Sequence, residues 1–277
     1  MGTPTGLFRF DGVTFEAYRL PNGQKFPHVE IQSLTATPNG GLWIGYVLGD
    51  TSFLKDGILR TQRFRGHARL GGGRVNYINV SHDGSTWAAT DYGLLRLVSG
   101  EWTDATETQG LGIKSSYCLY EDSHRTMWMA TELLVYRLRY GAQRFEKTQL
   151  HPGPNGHFTE SLDGTVWIAD EYGLHDVEDP FAAKPHIPLI DVPLDLSVDD
   201  SGAIWFLGYS TGITRIEDPS VTARLPRSEQ KNAMENFSVR NGLTSDRVEC
   251  PAFFEPAFMR ETLSQGVGHG TKEEAHS

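Results

Sequence analysis

Five of the six tryptophans recur at a nearly constant spacing, and this period limits the folds open to the chain. Successive members lie 44, 41, 39 and 38 residues apart, and they are Trp43, Trp87, Trp128, Trp167 and Trp205. Repeats of roughly 40 to 50 residues are typical of proteins that stack one small structural unit many times. The chain is therefore predicted to be a repeat protein.

A turn signal precedes each of these tryptophans. Four residues upstream of the five tryptophans stand Asn39, Asp83, His124, Asp163 and Ser201, and glycine follows in every unit but one, where Arg125 takes its place. Asn-Gly and Asp-Gly favour positive φ at both central positions of a two-residue hairpin. We therefore expect each tryptophan to open the second strand of a hairpin. We interpret His124 as a turn residue in left-handed geometry rather than as a metal ligand.

The other strands of each unit are also visible. Apolar first strands are predicted at 31–36, 75–80 and 117–122, and a Gly-Leu pair begins a third strand such as 94–98. A fourth, more irregular strand follows, for example at 101–103 or 143–147. No helical periodicity is found. Four short strands per unit predict an all-β fold, a β-propeller, in preference to a sandwich or a barrel.

The period also divides the chain. Five full repeats with partial blades at both termini predict about six blades, and the alternative is an incomplete seven-bladed ring. We place the propeller at 1–255 and a degenerate polar tail at 256–277. The strands at 6–20 are expected to close a composite blade with the segment near 247–254. The alternative is an open ring with exposed strand edges.

Composition excludes several classes of function. The formal net charge of −10 disfavours nucleic acid and anionic membranes as partners. Cys118 and Cys250 are far apart, which predicts neither a disulfide framework nor a zinc site, and both are interpreted as small buried residues. No cofactor or metal is predicted. As written, the chain has no signal peptide or membrane-spanning segment, which predicts a cytoplasmic location if it is expressed in this form.

The repeated residues are interpreted structurally. A tryptophan at one fixed strand position is expected to fill the space between neighbouring blades rather than to form a stacking platform for a ligand. The acidic residues near the hairpin turns are interpreted as solvated turn carboxylates, and they are Glu121, Asp122, Asp163, Asp199 and Asp200. No nucleophile elbow, zinc-protease helix or kinase signature is present.

These motifs together resemble the two-component regulator propeller repeat. The resemblance is carried by GLFRFDGVTFEAY at 6–18, SHDGSTWAATDYGLLRL at 81–97 and SLDGTVWIADEYGL at 161–174. It implies a non-catalytic module of a bacterial signalling protein that senses or docks a ligand in the periplasm. The implied partners are an unknown small molecule, a glycan or a protein, together with a downstream kinase or cyclase. The motifs of that kinase are absent from the sequence.

The resemblance also suggests where a ligand would bind. Loops that join strand two to strand three, and one blade to the next, crowd one face of a propeller around its channel. Tyrosine and arginine are favoured on recognition surfaces. The predicted ligand-binding residues on these loops are Arg74, Asp91, Tyr92, Lys114, Glu132, Glu171, Tyr172, Tyr209 and Arg247.

Two other functions remain open. Propeller enzymes of the streptogramin-lyase type carry similar turns, and such an enzyme needs a histidine at the channel face, for which His175 is the candidate. A protein-docking scaffold is the other alternative.

Overall fold

The unit predicted from the tryptophans is a blade of antiparallel strands, and six such sheets surround a central channel. The computed structural model describes residues 1–10, 14–64, 73–113, 115–153, 156–179 and 186–241. The prediction of an all-β propeller with a partial blade at the N-terminus is confirmed.

The first three blades take up the first part of the chain. The first blade is a three-stranded sheet of β1 (Gly2–Thr3), β2 (Gly6–Phe10) and β3 (Phe15–Ala17). The second blade contains β4 (Ile31–Ala36), β5 (Leu42–Tyr46), β6 (Thr51–Lys55) and β7 (Ile58–Gln62). The third contains β8 (Val75–Val80), β9 (Thr86–Thr90), β10 (Gly93–Val98) and β11 (Glu101–Asp104).

The next three blades follow in chain order. The fourth contains β12 (Cys118–Glu121), β13 (Met127–Ala130), β14 (Val135–Leu138) and β15 (Glu146–Lys147). The fifth contains β16 (His157–Glu160), β17 (Val166–Asp170) and β18 (Gly173–Asp176), with one further bridge from Leu174 to Ile187. The sixth contains β19 (Pro193–Val198), β20 (Ile204–Gly208), β21 (Ile213–Ile216) and β22 (Met234–Phe237).

Two short helices separate β21 from β22, and the sequence pattern did not predict them. They are α1 (Pro219–Arg224) and α2 (Arg227–Gln230). The Asp218 carboxylate caps α1 by accepting a hydrogen bond from the Val221 amide, and Pro219 occupies the first helical turn. Helices of six and four residues are too short to show a 3.6-residue period.

The hairpins differ from the two-residue turns that were predicted. The Thr37 amide donates to the Gly41 carbonyl and the Gly40 amide to the Thr37 carbonyl, and the other four units repeat this pattern. Only the last turn residue has positive φ, 79° at Gly40 and 61° at Arg125. The loop is thus a tight turn followed by one left-handed residue. The prediction that His124 adopts left-handed geometry is wrong, because Arg125 does so.

The five periodic tryptophans are buried, each at most 6% exposed, and the first four of them pack against the following blade. Trp43 packs with Val75 and Trp102 of the third blade, and Trp128 packs with Phe158 and Ile168 of the fifth. Each blade therefore covers an apolar face of its neighbour, which is the arrangement that excludes water from a ring of small sheets.

The indole N–H groups need partners in this apolar setting. Trp128 and Trp205 donate to Asp122 and Asp199 at 2.8 Å, and Trp167 donates to Ser161 at 3.0 Å. The two aspartates, predicted to be solvated, are 4% and 7% exposed. They also accept amide hydrogen bonds from their own turns, so each joins a turn to the tryptophan.

The closure of the first blade stays a prediction. In the described residues β1 pairs with β2 alone within its sheet and also contacts β4 of the second blade. Both the predicted closing segment near 247–254 and the predicted tail at 256–277 lie outside the described residues.

The buried turn aspartate can be tested against its exposed neighbour. We expect Asp199→Ala to lower the free energy of unfolding by about 3 kcal/mol, because it removes a buried charged acceptor from the Trp205 indole and from the Ser201 and Ala203 amides. Asp200→Ala, in the same turn but exposed, is expected to change it by less than about 0.5 kcal/mol. Urea unfolding of both variants measures the difference, and equal losses would contradict this role for Asp199.

Candidate ligand-binding channel

The innermost strands of five blades enclose a cavity of about 750 Å³ along the axis of the ring. Its walls come from β4, β8, β12, β16 and β19, together with residues just before these strands and Tyr209. This volume lies within the range of small-molecule sites in proteins, roughly 300–1,000 Å³.

One register position of the inner strands carries a different side chain in each blade. The position lies two residues before the partner of the tryptophan, and it holds Ser33, Tyr77, Cys118, His157 and Asp195. Two of these side chains, those of Ser33 and His157, reach the next blade. Ser33 Oγ donates to the Val75 carbonyl at 2.9 Å, and His157 Nδ1 lies 4.0 Å from Asp195 Oδ1.

Bulges in three inner strands shape the channel wall. The strand register shifts between Ile31 and Ser33, between Val75 and Tyr77, and between Pro193 and Asp195. A bulge leaves its extra residue outside the regular pairing. The three extra residues, Gln32, Asn76 and Leu194, all line the cavity.

Asn76 connects this wall to the loops above it. Its Nδ2 donates to Asp91 Oδ1 at 3.1 Å and to the Ser116 carbonyl at 3.0 Å. Asp91 in turn accepts a hydrogen bond from the Arg74 amide and donates its own amide to the Arg74 carbonyl. The loop between strands two and three of the third blade is thus fixed to the channel wall.

Burial shifts the pKa values of several groups in and beside the wall further toward their uncharged forms. It lowers the pKa of His157 from 6.5 to about 4, and it raises the pKa of Cys118, which lies on β12 but does not line the cavity, to about 12. Burial also raises the pKa of Tyr77 and of Tyr120, the latter with help from the charges of Glu160 and Asp122. Among the lining residues that the structure describes, Asp195 is the one carboxylate, and no lysine or arginine is present.

The predicted ligand-binding residues divide into three groups. Tyr209 lines the cavity itself. A second group stands on the strand-two to strand-three loops or at the start of β8, outside the cavity wall: Arg74, Asp91, Tyr92, Glu132, Glu171 and Tyr172. Lys114 and Arg247 lie outside the described residues.

The tyrosines of the second group cover backbone rather than the channel. The Tyr92 ring lies so close to Gly73 that a Cβ there would overlap it, and Tyr172 covers Gly153 in the same way. Both rings stay half exposed, at 47% and 58%. They therefore form an outer rim that is fixed to the connections between blades.

Two leucines complete this rim, and the sequence reasoning missed them. Leu48 and Leu133 stand five residues after their tryptophans, as Tyr92 and Tyr172 do, and they are 58% and 70% exposed. Five blades thus each present one large exposed side chain, the fifth being Tyr209. The offset from the tryptophan would have revealed both leucines.

His175 does not lie where the lyase alternative requires it. It is buried on β18, where its Nε2 is 3.2 Å from the Asp170 carboxylate, and it is not part of the cavity wall. Burial raises the pKa of Asp170, but hydrogen bonds from His175 and from the Gly153 and Tyr172 amides outweigh it and give a net decrease. The histidine of the wall is His157, which the sequence reasoning did not single out.

Neither a metal-binding cluster nor a membrane-spanning helix is found in the described residues. Among the described residues, no group of three or more His, Cys, Asp or Glu side chains is placed to hold a metal ion. Within the same residues, no helix has the length and apolar character that crossing a membrane requires.

Solved structures with a similar fold include signalling and enzyme propellers. The extracellular domains of two hybrid two-component systems of B. thetaiotaomicron match 89% and 78% of this chain, with TM-scores of 0.68 and 0.63 and 15% and 18% identity. A catalytically inactive virginiamycin B lyase from Staphylococcus aureus, crystallised with quinupristin, matches 67% of this chain and 66% of its own length, at TM-score 0.53 and 15% identity. No family model and no curated protein matches the sequence.

These similarities confirm the propeller fold that the motifs predicted. The chain spans about a third of the two-component domains, 34% and 30% of their lengths. At such identities the comparison concerns the fold alone.

The low pKa of His157 predicts a pH-dependent stability. The unfolded chain binds this proton near pH 6.5 and the folded chain near pH 4, so the free energy of unfolding should fall as the pH drops between these values. Urea unfolding at pH 7, 5.5 and 4.5 measures this, and His157→Gln should reduce the slope. If the His157 imidazole titrated near pH 6.5 in NMR spectra of the folded protein, the prediction would be contradicted.

Proposed function

We propose that this chain is a non-catalytic ligand-binding propeller of a bacterial two-component signalling protein and acts as its extracytoplasmic sensor. The single observation that carries the proposal is the axial cavity of about 750 Å³, whose described wall mixes polar and apolar side chains and has Asp195 as its one acidic residue. The rim around it offers exposed tyrosines and leucines. The extracellular location of the similar two-component domains supports this assignment.

The channel wall suits a neutral or weakly charged polar ligand. Asn76, Gln32, Ser197 and Tyr120 supply donors and acceptors around the axis. His157 is neutral at physiological pH and can also donate or accept. A kinase or cyclase elsewhere in the parent protein would receive the signal.

Tyr209 is the residue with which to test the channel, because it belongs to both the rim and the wall. We expect Tyr209→Ala to weaken ligand binding at least fivefold, since losing an aromatic contact of this kind costs about 1–2 kcal/mol. A thermal-shift screen of neutral oligosaccharides and dipeptides would identify a ligand, and calorimetry would measure its affinity. Tyr140→Ala, an exposed tyrosine outside the channel, is the matched control.

The double variant Tyr92→Ala/Tyr172→Ala separates the rim from the channel. Reduced affinity would place the ligand across both, and unchanged affinity would restrict it to the wall. If Tyr209→Ala and the double variant both bound the ligand as the wild type does, the channel would not be the site.

A propeller lyase is the second candidate, favoured by one observation. His157 and Asp195 lie 4.0 Å apart in the channel, and a neutral histidine beside a carboxylate is a plausible arrangement for a general base. Incubation with quinupristin, followed by chromatography, tests the idea directly. Consumption by the wild type that His157→Ala abolishes would favour the lyase over the sensor.

A further inference from the structure

One hairpin turn departs from the rule that the other four follow. Its left-handed position holds Arg125, at φ 61°, where the other units hold Gly40, Gly84, Gly164 and Gly202. A residue with a Cβ is strained in this conformation, and such strain is often found at functional sites. The strain therefore directs attention to what the Arg125 side chain contacts.

Arg125 opens onto a second cavity, about 400 Å³ in volume, between the third and fourth blades. Its guanidinium carbon lies 5.3 Å from the centre of the Tyr140 ring. Across the blade boundary, the guanidinium carbon of Arg96 lies 4.8 Å from the centre of the Trp87 ring. Both arginines line the cavity, and cation–π contacts hold both.

These two guanidinium groups keep their hydrogen-bond donors available. Within the described part of the chain, neither makes an ion pair or a hydrogen bond. The third arginine of the wall, Arg139, differs because it is paired with Glu146. Ring-stacked guanidinium groups with free N–H donors suit carboxylates and phosphates.

Two carboxylates also line the cavity, and both have partners. Glu121 accepts from the His82 amide at 2.8 Å and approaches the His82 ring at 3.0 Å. Asp83 accepts from the Ser85 amide at 2.8 Å, and hydrogen bonds from Ser85, with a smaller contribution from the charge of Arg96, lower its pKa. Both carboxylates thus hold the hairpin turn of the third blade in place, while Arg96 and Arg125 are left to bind a ligand.

The cavity wall also contains an acceptor that lacks a donor. Gln109 Oε1 is buried and receives no hydrogen bond from the described residues. A buried acceptor without a partner is unfavourable, so a ligand that brings a hydroxyl group would be favoured here.

We propose that this cavity binds a small hydroxylated oxyanion. A carboxylate or phosphate group of the ligand accepts hydrogen bonds from Arg96 and Arg125, and its hydroxyl group donates to Gln109. The site is separate from the axial channel, and it does not rest on the function proposed above.

Calorimetry with four probes at constant ionic strength tests the proposal and shows whether the site prefers a carboxylate or a phosphate ester. The probes, at pH 8, are acetate, glycolate, methyl phosphate and glycerol 3-phosphate. We expect a hydroxylated probe to bind at least tenfold more tightly than its unhydroxylated counterpart. Preference for glycolate would indicate a hydroxy acid, and preference for glycerol 3-phosphate would indicate a phosphate ester.

Arg125→Gly is the decisive variant, because it restores the residue that the other turns carry. We expect its thermal midpoint to be unchanged or higher and its affinity for the preferred probe to fall at least tenfold. Arg96→Gln should lose affinity to a similar extent, and Gln109→Leu should remove the preference for the hydroxylated probe. Arg60→Gln, an exposed arginine outside the cavity, is the matched control.

Three results would overturn the proposal. The first is that none of the four probes binds. The second is binding that Arg125→Gly and Arg96→Gln leave unchanged, which would indicate a general ionic effect. The third is that Arg125→Gly lowers the thermal midpoint but keeps its affinity for the preferred probe. This would show that Arg125 stabilises the turn and does not bind a ligand.

Discussion

The burial of a tryptophan at each of four successive boundaries between blades, from the second blade to the sixth, is the constraint on which the rest of this structure depends. A four-stranded sheet with apolar residues on both faces cannot remain alone in water, because each exposed face would lose the free energy of burial. Trp43, Trp87, Trp128 and Trp167 each pack with side chains of the following blade. A ring arrangement gives such sheets neighbours to pack against, and the axial channel is the space enclosed by the inner strands of five blades.

Each tryptophan brings a polar N–H group into that apolar contact, and the turns supply its partner. The acceptor is an aspartate in two blades and a serine in two others. The turns are also joined from blade to blade, since Glu121 binds the backbone of His82 and Glu160 binds that of Ser123. Turn chemistry therefore orients the blades as well as reversing the chain.

The period made most of the fold predictable, because a tryptophan, a turn and a Gly-Leu pair at fixed offsets describe one blade. Strand β4 begins and ends at the predicted residues, and β8 does as well. The detail of the hairpins was not predictable from the Asn-Gly and Asp-Gly pairs, since both turn forms place glycine at the same residue. The short helices had only a capping aspartate and a proline as a signal, at Asp218 and Pro219.

The channel wall was harder to predict than the rim for a physical reason. Rim residues lie on loops, where a tyrosine or a leucine is conspicuous. Wall residues such as His157 and Asp195 belong to inner strands, where alternation indicates only that a side chain faces one side of the sheet or the other. Their position between blades becomes apparent only when neighbouring strands are placed side by side.

The repeat itself provides a way to separate packing from function in this chain. Positions that must fill the same space in every blade keep one residue type, as the tryptophans do. Where equivalent positions of the blades carry different residue types, repeated packing does not explain the difference. The inner-strand position that holds Ser33, Tyr77, Cys118, His157 and Asp195 is one such place, and all of these residues except Cys118 line the channel. The left-handed turn position is the other, because a single arginine there replaces the glycine that the backbone favours. Both departures face cavities, which is the outcome expected if ligand contacts rather than blade packing determine the residue.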